Sequence, residues 1–323
     1  MFDGLDFPSR RSDVCDHLIC GGFTLATFEE LAPLYLKACE VEGKTDRTVQ
    51  SYAETLRHFR TAVGQLGLPD SVEAFLAAHV YLFLGWVKDR GVSASTVHRR
   101  QREVKAFFSW CRRMAYIDDN PFMRVPMVRR EIKVVQPFSK DDINRLLAAA
   151  DPSTHVGSRM RAMIFFLLDT GVRSSELVSI RLDDVFFSEH RVRVLHGKGR
   201  KQRWTAISDV AIEALKLYLD GFRGWSEGPL FQTVDGRTLR NHHMNLMFSR
   251  HGFQAGVTHV HPHRFRHTFA TWAIRASARE LDVQYLLGHS SPMMVRRYSA
   301  TYDSEQAAAA HASFSPATQL FSG

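Results

Sequence analysis

His261-Pro262-His263-Arg264-Phe265-Arg266-His267-Thr268-Phe269-Ala270-Thr271 is the stretch on which the reading of this 323-residue chain turns. It gathers imidazoles and guanidinium groups into one short run with no carboxylate. Guanidinium stays cationic and presents forked donors that suit phosphate oxygens, whereas imidazole exchanges protons near neutral pH. The alternation His259, His261, His263 also invites a zinc site, but no Cys, Asp or Glu lies in the run to complete one. Cys15/His17/Cys20 and His242-His243 are weaker still, so no metal is expected. Working outward, Thr170-Gly171-Val172-Arg173-Ser174-Ser175-Glu176-Leu177 and Gly197-Lys198-Gly199-Arg200-Lys201 precede the run. Leu286-Leu287-Gly288-His289-Ser290 and then Tyr298 follow it. Alone, an arginine is most often a salt-bridge residue and a helix-spaced tyrosine most often packs; five ordered pieces together carry far more.

These pieces resemble the tyrosine recombinases, over roughly residues 23–305 as an architecture, with the specific motifs confined to the second half. The resemblance implies that Tyr298 attacks a DNA phosphodiester, giving a 3′-phosphotyrosyl link and a free 5′-hydroxyl. Arg173 and Arg266 would clamp the phosphate, whose non-bridging oxygens accumulate charge during attack. Lys198 at a hairpin tip would protonate the leaving 5′ oxygen, with Lys201 three residues on as the alternative. His263 would take the phenol proton, His289 would donate to the phosphate, and Glu176 would orient the site from behind Arg173. No cofactor is expected: there is no Walker-type or Rossmann glycine motif, and the phosphotyrosyl bond conserves the energy of the broken diester.

The fold class expected is mainly α, in two parts. Thr24 or Thr27 caps a first helix, Thr45 to Val63 gives a second, Ser71 to Lys88 a third and Ser93 to Met114 a fourth, making a helical core-binding domain over 23–117. Residues 1–22 form an N-terminal extension, and the prolines at 121, 126 and 137 mark a linker at 118–138. Ser139 opens a mixed helical catalytic domain over 139–305, where Asp184–Phe187, Arg191–Leu195 and Trp204–Ile207 make a small antiparallel sheet. Later helices are expected at 162–168, 210–219, 241–251, 267–276, 283–287 and 294–298. The tail 306–323 is too alanine-rich to bury much by itself and is expected to pack on a neighbouring protomer.

The formal charge of +8 points to a polyanion. Eleven Lys/Arg against four acids lie between Arg90 and Lys133, and six with no acid between Arg191 and Arg203, so the remainder is net acidic. Arg99, Arg100, Arg102 and Lys105 on the fourth helix, and Arg200 and Lys201 on the hairpin, are the candidate phosphate-tracking residues. The longest apolar runs, Ala74–Val87 and Ala162–Leu168, fall short of the ~18–20 residues of a membrane span. Without a signal-peptide pattern or a disulfide framework, a cytoplasmic protein is expected.

The partner expected is a double-stranded DNA recombination site, bound by four protomers around a Holliday junction and by monomers that need not associate in solution, with an accessory directionality factor as a further partner. With about 22 residues ahead of the first helix, simple core-site recognition is expected. Val295-Arg296-Arg297-Tyr298 and the extension favour a mobile-element or phage-type integrase over an Xer-like dimer resolvase. A type IB topoisomerase and a catalytically silent DNA-binding protein are the more distant alternatives.

Overall fold

The computed structural model of the protein describes residues 26–130, 135–195, 202–288 and 311. The chain divides into two compact units between Lys133 and Val134.

The first unit is built of four helices, α1 (Phe28–Val41), α2 (Asp46–Leu66), α3 (Ala77–Lys88) and α4 (Ala94–Arg113). Their starts follow from hydroxyl caps. Thr27 accepts from the Glu30 N–H while Glu30 accepts from the Thr27 N–H, and Thr45 and Ser93 cap α2 and α4 in the same sense. The third helix begins six residues later than its periodicity suggests. Ser71 instead pairs antiparallel with Thr27, the Val72 N–H donates to the Ala26 carbonyl, and Val72 and Phe75 are buried in a bent, non-helical segment. Two apolar residues three apart serve either conformation, and here the backbone donors are satisfied across to the start of α1.

The core of this unit is aromatic: Phe28, Phe59, Phe83, Phe107 and Phe108 are buried, with edge-to-face pairs Phe28–Phe59 and Phe59–Phe83 at 4.9 Å between ring centroids. Burying each such ring is worth about 1.5–3 kcal/mol. The stretch read as a linker is folded at both ends. Asn120 donates to the Lys105 carbonyl and Ser109 hydroxyl and accepts from the Phe122 N–H, which sets fully buried Phe122 into the first core. At the other end the Phe138 ring packs tilted against Phe265 at 4.6 Å between centroids, and its N–H donates to Thr268, inside the second unit.

In the second unit, α5 (Lys140–Ala148), capped by Ser139, leads to the central helix α6 (His155–Thr170), which packs against α8 (Asp209–Tyr218) and α10 (Pro262–Arg275). Between them lie the short α7 (Ser174–Ser179) and an antiparallel sheet in the order β1 (Val185–Phe186), β2 (Arg191–Val194), β3 (Arg203–Ala206), with Val192 opposite Thr205 and Val194 opposite Arg203. Helix α9 (Asn241–Gln254) precedes α10, and α11 (Glu280–Leu287) follows it. Phe166, Leu215, Phe231, Phe248 and Phe265 centre the core. Helix α10 starts five residues ahead of the sequence reading. Pro262 occupies its first turn, where a missing N–H costs nothing, and the His261 ring accepts from the Arg264 N–H as the cap. The expected helix 294–298 and the tail 306–323, apart from His311, lie outside the described residues. Among the described residues no helix is long and apolar enough to cross a membrane.

Candidate active site

Arg173 sits at the junction where α6 ends and α7 begins. Gly171 closes α6 in the left-handed conformation at φ 55°, and a Cβ there would come within 2.6 Å of Leu287 Cδ2 and 2.7 Å of Phe269 Cδ1. The turn therefore needs glycine for its dihedral and for space. One helical turn on, the buried Glu176 carboxylate faces back: Oε2 accepts from the Arg173 N–H at 2.8 Å and Oε1 from Arg173 Nη1 at 2.9 Å. It also accepts both arms of Arg203, at 2.8 and 2.7 Å.

Burial pushes the Glu176 carboxyl up, but the Arg203 fork, the Arg173 N–H and the two cationic charges outweigh it and hold the group at about 2. A carboxyl depressed in the folded state stabilises the fold fully above its ordinary value of 4.5 and loses that contribution as pH falls toward 2. Glu176→Gln is expected to lower unfolding free energy at pH 7 by about 3 kcal/mol, because it leaves the largely buried Arg203 and the partly exposed Arg173 short of a carboxylate. The deficit should narrow when denaturant titrations are repeated between pH 4.5 and 2, where the unfolded wild type takes up a proton that folded Glu176 does not.

Helix α10 carries His263 and Arg266 one turn apart. Arg266 is 2% exposed; its Nη1 donates to the Gly171 carbonyl at 2.7 Å and its Nη2 to the Leu287 carbonyl at 2.8 Å. His263 reaches the surface, yet desolvation and then the charges of Arg266 and Arg173 push its pKa down. It is therefore neutral at pH 7, the form that accepts a proton. The next histidine, His267, is buried against Thr271 at 3.0 Å and is a packing residue.

The turn that ends α11 ties these parts together. Three successive carbonyls, those of Leu286, Leu287 and Gly288, accept from Arg203 Nε at 2.9 Å, Arg266 Nη2 at 2.8 Å and Arg173 Nη2 at 3.3 Å. Arg173, Glu176, His263 and Arg266 thus come together as the motifs imply. Arg203 joins them, although the sequence reading counted it with the phosphate-tracking charges. The alternation along β3 held the signal: Arg203 shares a face with buried Thr205, while Trp204 and Ala206 are exposed. Of the other described arginines of that basic stretch, Arg193 pairs with buried Asp184, while Arg191 stays exposed in a surface pair with Glu189. Lys198, Arg200, Lys201, His289 and Tyr298 lie outside the described residues.

On α4 of the first unit the basic face is only partly outward. Arg102 is exposed, Lys105 is half-buried, and Arg99 donates to Ser51 and to Glu103, whose carboxylate also accepts from Ser51 and Thr55. Arg100, expected on the open face, is 6% exposed, with Nε and Nη1 lacking a hydrogen-bond partner. Burial and the charge of Arg99 push its pKa down. Helical spacing places Arg100 beside the apolar stripe of Val97 and Val104, which draws its stem inward.

A family model described as Phage integrase family matches residues 136–305, and one described as Phage integrase, N-terminal SAM-like domain matches residues 34–117. Tyrosine recombinase XerC of Corynebacterium glutamicum is 30% identical over 305 residues, covering 92% of this chain and 90% of its own. XerC of Bacillus subtilis is 30% identical over 275 residues, covering 82% and 90%. The Tn1549 transposon integrase in complex with a circular intermediate DNA superposes with a TM-score of 0.73 at 20% identity, over 86% of this chain and 98% of that one. A lambda integrase dimer bound to a COC′ core site gives 0.70 at 17% identity, over 83% and 97%. These two structures speak for the shared fold alone.

Proposed function

The chain belongs to the phage integrase family of tyrosine recombinases, enzymes of site-specific DNA recombination, and on that premise we propose that Arg173 and Arg266 hold the scissile phosphate while Tyr298 attacks it. The observation that carries this reading is the convergence of both arginines, from separate helices, on adjacent carbonyls of the α11 turn, with neutral His263 beside their charges. Guanidinium groups held by main-chain oxygens are pre-oriented, so little reorganisation accompanies charge build-up on the phosphate.

The phenol oxygen of Tyr298 bonds to phosphorus as its proton passes to His263. The bond to the 5′ oxygen breaks, and that oxygen takes a proton from Lys198. His289 donates to a non-bridging oxygen. The product is a 3′-phosphotyrosyl link and a free 5′-hydroxyl; a partner strand's 5′-hydroxyl reverses the step through a Holliday junction, without nucleotide hydrolysis.

The partner in this reading is a double-stranded recombination site, bound by a homotetramer in the cytoplasm, with a directionality factor as accessory. The domains that serve it are a core-binding domain over 23–117, a catalytic domain over 139–305 and a tail, 306–323, that packs in trans. Exchange of a mobile or phage element is the role favoured by the residues around Tyr298. Dimer resolution is the second reading, favoured by the near full-length match to XerC. Exposed Arg102 supports phosphate tracking by α4, with Arg200 and Lys201 doing the same from the hairpin in this reading, whereas Arg100 is turned inward. Arg102→Ala with Lys105→Ala is expected to weaken DNA binding and reduce the slope of log affinity against log salt by about 1–2, leaving cleavage of saturating DNA unchanged.

The test begins with duplexes selected by the full chain from a randomised pool, then nicked just 3′ of the cleavage point so that the short fragment bearing the new 5′-hydroxyl escapes. A covalent protein–DNA adduct on the 3′ phosphate, formed in EDTA, is expected. Failure to form the adduct, linkage to a 5′ phosphate, or a strict need for a divalent ion would overturn the mechanism.

A further inference from the structure

Arg203 belongs to none of the motifs that mark the chemistry, yet it is one of the most heavily engaged side chains of the second unit. Its side chain is 11% exposed. The two arms of its guanidinium close on both oxygens of Glu176, and its Nε reaches the Leu286 carbonyl. A Cβ on Gly288, which stands at φ 63°, would approach Arg203 Cδ to 2.8 Å, so the turn after α11 closes directly on the arginine's stem. One residue thereby joins strand β3, the carboxylate behind Arg173, and the turn that leads to His289.

We propose that Arg203 is a positioning residue of the active site, fixing the Glu176 carboxylate and the 286–288 turn so that Arg173 meets the scissile phosphate. The physical argument is one of competition for a carboxylate. Glu176 carries one charge and has two guanidinium partners. With Arg203 holding both oxygens end-on through Nη1 and Nη2, Arg173 engages Oε1 through Nη1 alone among its side-chain nitrogens. Without Arg203 the carboxylate has a single cation to satisfy it. Arg173 then becomes the natural bidentate partner, and its guanidinium is drawn back from the phosphate. The Leu286 carbonyl loses its donor at the same time, loosening the turn whose next two carbonyls align Arg266 and Arg173. A displacement of about 1 Å at the reacting centre is enough to cost about 100-fold in rate. The effect reaches the reaction only through other groups, because the fork of Arg203 faces the carboxylate.

This inference rests on Arg173 acting as a phosphate clamp, and the experiment separates the two. Single-turnover cleavage is measured at saturating concentration on the selected, nicked duplex, with either a normal scissile phosphate or a neutral methylphosphonate in its place. Wild type, Arg203→Met, Arg203→Lys and Arg173→Ala are compared. The methylphosphonate bears no anionic charge for the clamp to neutralise, so a defect that acts through the clamp shrinks on it, whereas a general loss of structure does not. Arg203→Met is expected to lose about 100-fold on the phosphate and less than about tenfold on the methylphosphonate. Arg203→Lys, which keeps the charge but not the planar fork, should lie between, about tenfold down on the phosphate. DNA affinity should stay within about twofold of wild type for both, which also reports that they are folded.

Equal losses on the two substrates, a wild-type rate for Arg203→Met, or loss of binding in step with cleavage for Arg203→Lys would each overturn the assignment. If Arg173→Ala itself cleaves the normal phosphate at the wild-type rate, the clamp reading falls and the inference with it. If Arg173→Ala is defective while Arg203→Met is not, the clamp stands and only the role of Arg203 is refuted.

Discussion

Tyr298→Phe is expected to eliminate the covalent protein–DNA adduct, with a loss of at least about 10⁴-fold in trapping rate, while half-site affinity changes by less than about twofold. The substitution removes one oxygen atom and keeps the aromatic ring, so a change confined to chemistry identifies that oxygen as the nucleophile. Tyr302, four positions on in the sequence, is the alternative nucleophile to be tested against. Denaturing gels of the trapped complex, followed by peptide mapping, check this. An adduct that persists on the Phe variant, or that maps to Tyr302, would reject the assignment.

Arg266 carries the second large effect, because it supports the fold and the chemistry at once. Replacing a 2% exposed guanidinium by alanine strips a donor from both the Gly171 and Leu287 carbonyls and opens a cavity beneath α10. Arg266→Ala is therefore expected to lose about 3 kcal/mol of stability, from unsatisfied buried oxygens together with lost packing. Cleavage should fall about 10³-fold or more as charge stabilisation at the phosphate disappears. Arg266→Lys separates the two contributions: it keeps the charge, but one ammonium cannot span both carbonyls as a planar fork does. It should recover most of the stability yet remain about 100-fold slow in single-turnover cleavage. A lysine variant with wild-type kinetics would mean that charge alone, without geometry, is what the site needs from this position.

Helix starts were legible wherever a hydroxyl precedes an acidic or apolar-periodic turn, as at Thr27, Thr45, Ser93 and Ser139, because such caps are local chemistry. The start of α10 was not. Pro262 signals a break to a reader moving along the chain, and only the folded His261 ring shows it to be a first-turn proline. Arg173, His263 and Arg266 could be named from motif order, since their roles travel with their neighbours in sequence. The fate of other charges could not. Arg193 and Asp184 meet across a strand pair, Arg203 and Glu176 meet across a sheet and a helix, and Arg100 is turned inward beside an apolar stripe. Net charge counted along a segment cannot distinguish a cation spent on an internal acid from one offered to solvent. That distinction is tertiary.

The turn at Leu286, Leu287 and Gly288 is read by three arginines through its main-chain oxygens. An acceptor made of backbone is indifferent to spelling: exchanging one aliphatic side chain for another at Leu286 leaves the oxygen where it was. It is acutely sensitive to counting. Inserting or deleting a single residue in the last turn of α11, ahead of Leu286, would shift every oxygen by one place, leaving Arg203, Arg266 and Arg173 each facing the wrong partner in the same event. The segment behaves as a ruler, so drift by substitution is permitted there and drift in length is not.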